Sequence, residues 1–240
     1  MQPKCDYCDF FGEKYHCNNC KLFNRTRTTR LPQEMDCTLE ELVEYINGTE
    51  DVTERFMVGD YKTIELYTGE EVKMILLDVE KDTLASGGTA KTTFGILQMD
   101  DRYRMNPTNT NRGGFAASAM NTITLERIFR LLPDVLKQNI KLVNKKTTTG
   151  ETSPDILTSV HQLFLFSEVE IKGDTQYSYT GEGEQYEYFA TNRNRHFEDY
   201  TWLRSPGRSD SNSFCCVNGG VYFYYVSASN HYAVAFGFCI

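Results

Sequence analysis

The stretch "WLRSPGRSDSNSFCCVNGGVYFYYVSASNHYAVAFGFCI", Trp202 to Ile240, decides how this chain is read. Two apolar blocks, Trp202-Leu203 and Phe236-Gly237-Phe238-Cys239-Ile240, bracket a run of small, polar and aromatic residues. Neither a helical nor a strand period is sustained in that run, so its composition points to selection by something other than core packing. Lys, Glu, Gln, Met and Trp do not occur after Trp202. Codons AAC and AAT with their first two bases randomised reach every residue type found there and none of those absent ones. Such a gap is the expected signature of adenine-directed mutagenesis.

The rest of the chain sets the frame. With 240 residues, 40% of them hydrophobic, it can bury one large core or a core plus a small satellite. A formal net charge of -8 argues against nucleic acid as a partner, which calls for a basic face. The start "MQPKCDYCDF" lacks an apolar signal region, and no window is apolar for long enough to span a membrane. The expectation is therefore a chain made in the cytoplasm without a signal peptide and without a membrane span.

Cys5, Cys8, Cys17 and Cys20 form two CxxC pairs whose spacing favours one structural zinc over disulfides or free thiols. The doubled pattern favours Cys17 over His16 as a ligand. A knuckle this small folds only with its metal. The expected organisation is a zinc-ribbon-like knuckle over 1–22, a linker over 23–36 and a main domain over 37–240. Within the linker, "KLFNRTRTTR" reads as a solvated tether more readily than as a nucleic-acid grip.

In the main domain, Thr38 and Glu41 make a capping box ahead of a helix carrying Leu39, Leu42, Val43 and Ile46 and ending at Asn47-Gly48. "YKTIELY" and "EVKMILLDV" read as a hairpin turned at Thr68-Gly69-Glu70, with "TTFGILQM" as a further strand. Phe115 to Leu132 takes a helical period, and Pro133 opens a second, shorter helix. "IKLVNKKTTT" and "LTSVHQLFLFS" return to strand, residues 177–187 form a polar loop, and "YEYFATNRNRHF" holds a helical turn or two. Strands, helices and strands without βαβ alternation define an α+β class.

The blocks Trp202-Leu203-Arg204-Ser205-Pro206-Gly207, Phe214-Cys215, Val217-Asn218 and Gly237-Phe238-Cys239-Ile240 carry a resemblance. The chain resembles variable proteins of diversity-generating retroelements, of the gut bacterial and phage type, with a C-type-lectin-like (formylglycine-generating-enzyme-like) fold. Val221 and Phe236 depart from the Gly and Pro expected at those places. The resemblance implies a non-enzymatic, hypervariable ligand- or receptor-binding protein on a phage tail, virion or cell surface. Its partner would be a protein or glycan on a target cell, and its hypervariable region would cover about residues 204–236.

It further implies that Arg208, Asp210, Asn212, Cys216, Tyr222, Tyr224, Tyr225, Ser227, Ser229, Asn230 and Tyr232 face solvent in one patch. Trp202, Leu203, Val217, Val234 and Phe238 are then the buried anchors. Tyrosines suit such a surface because they offer large amphipathic contact area for few rotatable bonds. The competing reading makes "VYFYYV" a core strand, in which alternation turns part of the aromatic set inward.

Chemistry-bearing residues are sparse. His16, His161, His196 and His231 sit in no HExxH or nucleophile-elbow context. "RHFEDY" (195–200) offers either a charge cluster for metal or a solvated face, and the latter fits its density better. The lectin-like fold also includes copper-dependent formylglycine-generating enzymes with a cysteine pair, which would fall on Cys215 and Cys239. Buried small hydrophobes suit these cysteines, and Cys216, better than catalytic thiols. The alternative function is an intracellular zinc-ribbon adaptor that recruits nucleic acid or protein.

Overall fold

A computed structural model describes residues 30–99, 101–218 and 222–240. The chain divides into units at 1–31 and 32–240, and the second is described by itself. Cys5, Cys8, Cys17 and Cys20 lie outside the described residues. Gln33 to Met35, placed in the tether by composition, belong to the folded unit: Met35 N–H donates to Tyr61 O at 2.8 Å, and Met35 is buried.

Local signals set the early elements. Helix α1 (Leu39–Gly48) starts at Thr38, whose Oγ1 accepts from Glu41 N–H at 3.1 Å while Glu41 Oε2 accepts from Thr38 N–H at 2.8 Å. This reciprocal capping satisfies N–H groups that the first turn leaves open. Its apolar stripe buries Leu42, Val43 and Ile46. Strands β1 (Tyr61–Glu65) and β2 (Glu71–Val79) pair antiparallel, turning through Gly69 at φ 84°. β2 alternates at first (Val72, Met74 and Leu76 inward) and then buries Leu76, Leu77 and Asp78 together where a register shift interrupts its pairing with β3 (Thr92–Ile96). The two-residue β4 (Arg102–Tyr103) follows.

The predicted long helix begins later than its apolar pattern, as a π-helical turn at Met120–Thr124 that runs into α2 (Leu125–Leu131). Pro133 separates it from α3 (Asp134–Asn139). A hairpin of β5 (Val143–Gly150) and β6 (Ser153–His161), the short β7 (Phe164–Leu165) and α4 (Glu168–Lys172) come next, then 3-10 turns at Glu187–Ala190 and Asn192–Arg195. Among the described residues no helix is long and apolar enough to cross a membrane.

The tail corrects the sequence expectation of a patternless run. It forms β8 (Thr201–Pro206), β9 (Ser213–Asn218), β10 (Tyr222–Ser227), β11 (Tyr232–Ala233) and β12 (Phe236–Cys239). All but the last build a sheet ordered β10-β9-β8-β11-β4, whereas β12 inserts into the first sheet, β1-β2-β3-β12-β7. Strand periodicity is hidden because β8, β9 and β12 are buried on both faces, and such strands do not alternate. The architecture is thus α+β, dominated by antiparallel sheet.

Insertion of β12 depends on a pair of glycines facing one another across the sheet, Gly95 on β3 and Gly237 on β12. A Cβ on Gly237 would sit 2.6 Å from the Phe164 ring, and one on Gly95 2.6 Å from Leu77 Cδ1. Both distances are shorter than van der Waals contact, so only glycine leaves room for Phe164, Phe166 and Leu77 to cover the sheet.

Behind the sheets lies a buried charge cluster. Arg204 on β8 is fully buried and grips Glu170 with both terminal nitrogens, Nη1 to Oε2 and Nη2 to Oε1. Its guanidinium also donates to Leu165 O at 2.8 Å and Lys146 O at 3.2 Å. Lys145 Nζ lies 2.6 Å from both Glu170 Oε1 and Asp82 Oδ1, and Asp82 Oδ2 accepts from Thr93 at 2.7 Å and Tyr186 at 2.8 Å. Burial alone would raise both carboxyls. Arg204 and Lys145 outweigh it at Glu170, as Lys145 does at Asp82, and hold each below the ordinary range. Arg204→Met leaves Glu170 short of its main partner and is expected to cost about 3–5 kcal/mol in urea unfolding. Arg130→Met, which removes the exposed pair with Glu126, should cost less than about 1 kcal/mol.

Candidate ligand-binding surface

One end of the second sheet gathers an aromatic row from three strands. Tyr200 and Trp202 are two residues apart and so share a face. Trp202 opposes Cys216 on β9, which opposes Tyr224 on β10, and this brings Tyr224 to the same face. Tyr232 on β11 stacks on Tyr200 (centroids 5.1 Å apart, 20° between planes) and leans on Trp202 at 5.0 Å. Tyr200 and Tyr224 meet at 5.7 Å. Trp202 forms the buried floor, its Nε1 donating to Tyr103 O at 2.8 Å. Tyr224 and Tyr232 are half-buried and Tyr200 is exposed.

Tyr103 lies directly across from Tyr232 and extends the row. Burial, and then its hydrogen bond to Asp101 at 2.9 Å, push the Tyr103 phenol up to about 12. It therefore keeps its proton at neutral pH and presents a hydroxyl on an aromatic body, a combination enriched in binding surfaces.

The expected single patch divides in two. Neighbours on a strand point to opposite faces, and β10 lies at the edge of its sheet. Tyr225 thus turns away from Tyr224 and packs on Tyr177 at 5.6 Å, near Arg208, whose N–H donates to Tyr177 O at 2.9 Å. Arg208, Asn212 and Asn230 are exposed, and Ser227 and Ser229 are half-buried. Asp210 is occupied in its own turn, accepting from Asn212 N–H and Ser213 Oγ, both at 2.7 Å. Ser229 donates to Asn109, and Asn230 donates to the Tyr232 hydroxyl at 3.2 Å.

Cys216 is a correction: it lies directly across the strands from Tyr224, is fully buried and does not face solvent. The side chain of Tyr222 lies outside the described residues. Trp202, Leu203, Val217, Val234 and Phe238 are buried, as anchors must be. Sequence reasoning missed Tyr200, although its two-residue spacing from Trp202 was a usable signal. Tyr103 had none, because only the pairing of β4 with β11 brings it into the row.

Elsewhere, reactive groups are locked away. Cys215, Cys216 and Cys239 are free thiols. Burial raises all of them, Cys216 to about 12, which removes thiolate character at neutral pH. Cys215 and Cys239 lie on strands of different sheets. "RHFEDY" disperses: His196 is exposed, Glu198 accepts from Gln98 at 2.9 Å, and Asp199 pairs with Arg102. Among the described residues no group of His, Cys, Asp and Glu could hold a metal.

Taken by architecture, residues 32–240 form an α+β domain of interleaved antiparallel sheets with an aromatic row at one sheet end. Residues 78–240, more than half of the chain, match the model of DUF6273, a domain of unknown function, and the chain belongs to that family. No curated protein and no solved structure matches it.

His161 supplies a pH signature. Its Nδ1 lies 3.0 Å from Asn121 Oδ1, and Asn121 Nδ2 is already committed to Ala116 O. Nδ1 therefore carries the proton, and Nε2 accepts from Ser159 Oγ at 2.6 Å. Burial, then Arg204 and Lys145, lower its pKa from 6.5 to about 4. A base depressed in the folded state leaves stability intact above 6.5 and withdraws it as the unfolded chain takes up protons between 6.5 and 4. The loss is expected to reach about 3 kcal/mol. Unfolding free energies across that window should show this slope in the wild type and a flatter one in His161→Gln.

Proposed function

We propose that the folded unit is a non-enzymatic ligand-binding domain of C-type-lectin-like type, whose contact surface is the row Tyr200, Tyr224, Tyr232 and Tyr103. The row carries this reading: rings fixed by stacking beside a buried Trp202 lose little entropy on binding and offer broad amphipathic contact area. The ligand class is a protein or glycan on a target-cell surface. Diversification by adenine-directed retrohoming belongs to the same proposal, excluding segments 201–207, 213–217 and 233–240, which are buried. A reverse transcriptase gene beside this one, with a near-copy of its 3′ end carrying adenines at the differing positions, is the genomic pattern this part requires.

The surface is tested on a glycan and polysaccharide array. Tyr200→Ser with Tyr224→Ser should lower the bound signal about tenfold while changing the unfolding free energy by less than about 1 kcal/mol per substitution. Unchanged binding would place the contact surface elsewhere.

Cys5, Cys8, Cys17 and Cys20 are proposed to hold one structural zinc, since four thiolates in two CxxC pairs suit a tetrahedral ion. Elemental analysis should give one zinc per chain, and none after the four cysteines are changed to serine.

A further inference from the structure

At the outer edge of the second sheet, next to the tyrosine row, lies a cleft of about 290 Å³. Its walls include Arg102, Arg104, Arg127 and His231, with Ile123 and Tyr103 between them. Acidic residues outnumber basic ones in this chain, 33 to 25, so three guanidinium groups around one cleft depart from its average surface. Arg102 is paired with Asp199. Arg104 and Arg127 form no ion pair among the described residues. The Asp101 carboxylate is engaged by the Tyr103 hydroxyl. Asn106 also lines the cleft, but its amide is spent on Thr110 O and Ala119 N–H, which makes it wall and not ligand.

The wall that carries Arg127 begins with the π-helical turn Met120–Thr124, which presents Ile123 at 48% exposure. π-helical turns are rare and are found frequently at functional sites. Here the turn sets an apolar side chain in the same cleft as three guanidinium groups. A ligand that satisfies both carries an oxyanion for Arg104 and Arg127, which guanidinium matches by paired hydrogen bonds, and a carbon-hydrogen surface for Ile123 and the Tyr103 ring. Tyr103 lines the cleft and opposes Tyr232 across the strands, so a polymer filling the cleft continues along the tyrosine row.

We infer that this cleft is an oxyanion subsite for an acidic polysaccharide, a chain of sugar rings bearing carboxylate or sulfate groups. The inference rests on the binding-surface reading and names its ligand class. Nucleic acid fits less well: a phosphate at every nucleotide calls for a continuous basic groove, whereas this chain has a net charge of -8 and sets Asp199 beside Arg102.

The test uses the full chain with polygalacturonate as carboxylate polymer, dextran sulfate as sulfate polymer, neutral dextran and a single-stranded oligonucleotide, at low and physiological salt. The expected result is binding to at least one acidic polysaccharide about tenfold or more tighter than to dextran, weakening with salt. The preferred polymer identifies the oxyanion. Arg104→Ala with Arg127→Ala should erase that preference, a loss of about tenfold or more, with unchanged thermal midpoint. Tyr200→Ser with Tyr224→Ser should weaken the acidic and neutral polymers alike. No preference for acid, or an arginine variant that keeps it, overturns the subsite even where dextran binding through the tyrosines persists. Tighter binding of the oligonucleotide overturns it in favour of nucleic acid. An arginine effect without a tyrosine effect sustains the cleft and removes the tyrosine surface instead.

Discussion

The buried grip of Arg204 on Glu170 is the constraint on which the rest of this structure depends. A guanidinium and a carboxylate inside a protein cost several kcal/mol each in lost hydration, and only close, multiply hydrogen-bonded pairing recovers that cost. Here recovery draws on distant parts of the chain: β8 supplies Arg204, α4 supplies Glu170, β5 supplies Lys145, and the loop after β2 supplies Asp82. Glu170 has a second task, accepting from Ser167 N–H at 3.0 Å in the capping box of α4. One carboxylate therefore fixes where a helix begins and which residue of β8 faces inward. A slip of one residue along β8 would turn Arg204 to the other face and leave the Glu170 and Asp82 carboxylates with Lys145 as their one cation in the cluster.

From this follows the double character of the tail. Its strands are scaffold, since β8 carries Arg204 and β12 lies inside the first sheet, between β3 and β7, through the Gly95–Gly237 slot. Its edge strand and the turn that follows are surface, since Tyr224 to Ser227, Ser229 and Asn230 meet solvent. Aromatic residues serve both parts, with Trp202 below and Tyr200, Tyr224 and Tyr232 above, so composition alone does not separate them. A central strand drawn from the last residues of the chain also closes many long loops, a topology associated with slow folding.

Elements specified by neighbours within a few residues were legible in advance. The Thr38–Glu41 box starts α1, "EVKMILLDV" coincides with β2, and Pro133 divides α2 from α3. Each is a local matter of caps, turns and side-chain period. The tail was misread because fully buried strands lose the alternation that identifies strands, and Cys216 was placed on the surface because the resemblance put it among the variable residues. Tyr224 and Tyr225 are adjacent in sequence and were assigned one patch, but the pleat sends them to opposite faces.

By itself the sequence determined the α+β class and the early helix and hairpin, because these follow from local period, caps and turns, while the burial of Trp202, Leu203, Val217, Val234 and Phe238 was expected from the family resemblance. Only the tertiary structure decided that Arg204 is a buried cation, that the last strand is central, and that Tyr103 and Tyr200 join Tyr232 while Arg104 and Arg127 share a cleft. Those outcomes depend on which strands pair and on where charge can be neutralised away from water. Both are properties of contacts between residues far apart in the chain, which no local pattern encodes.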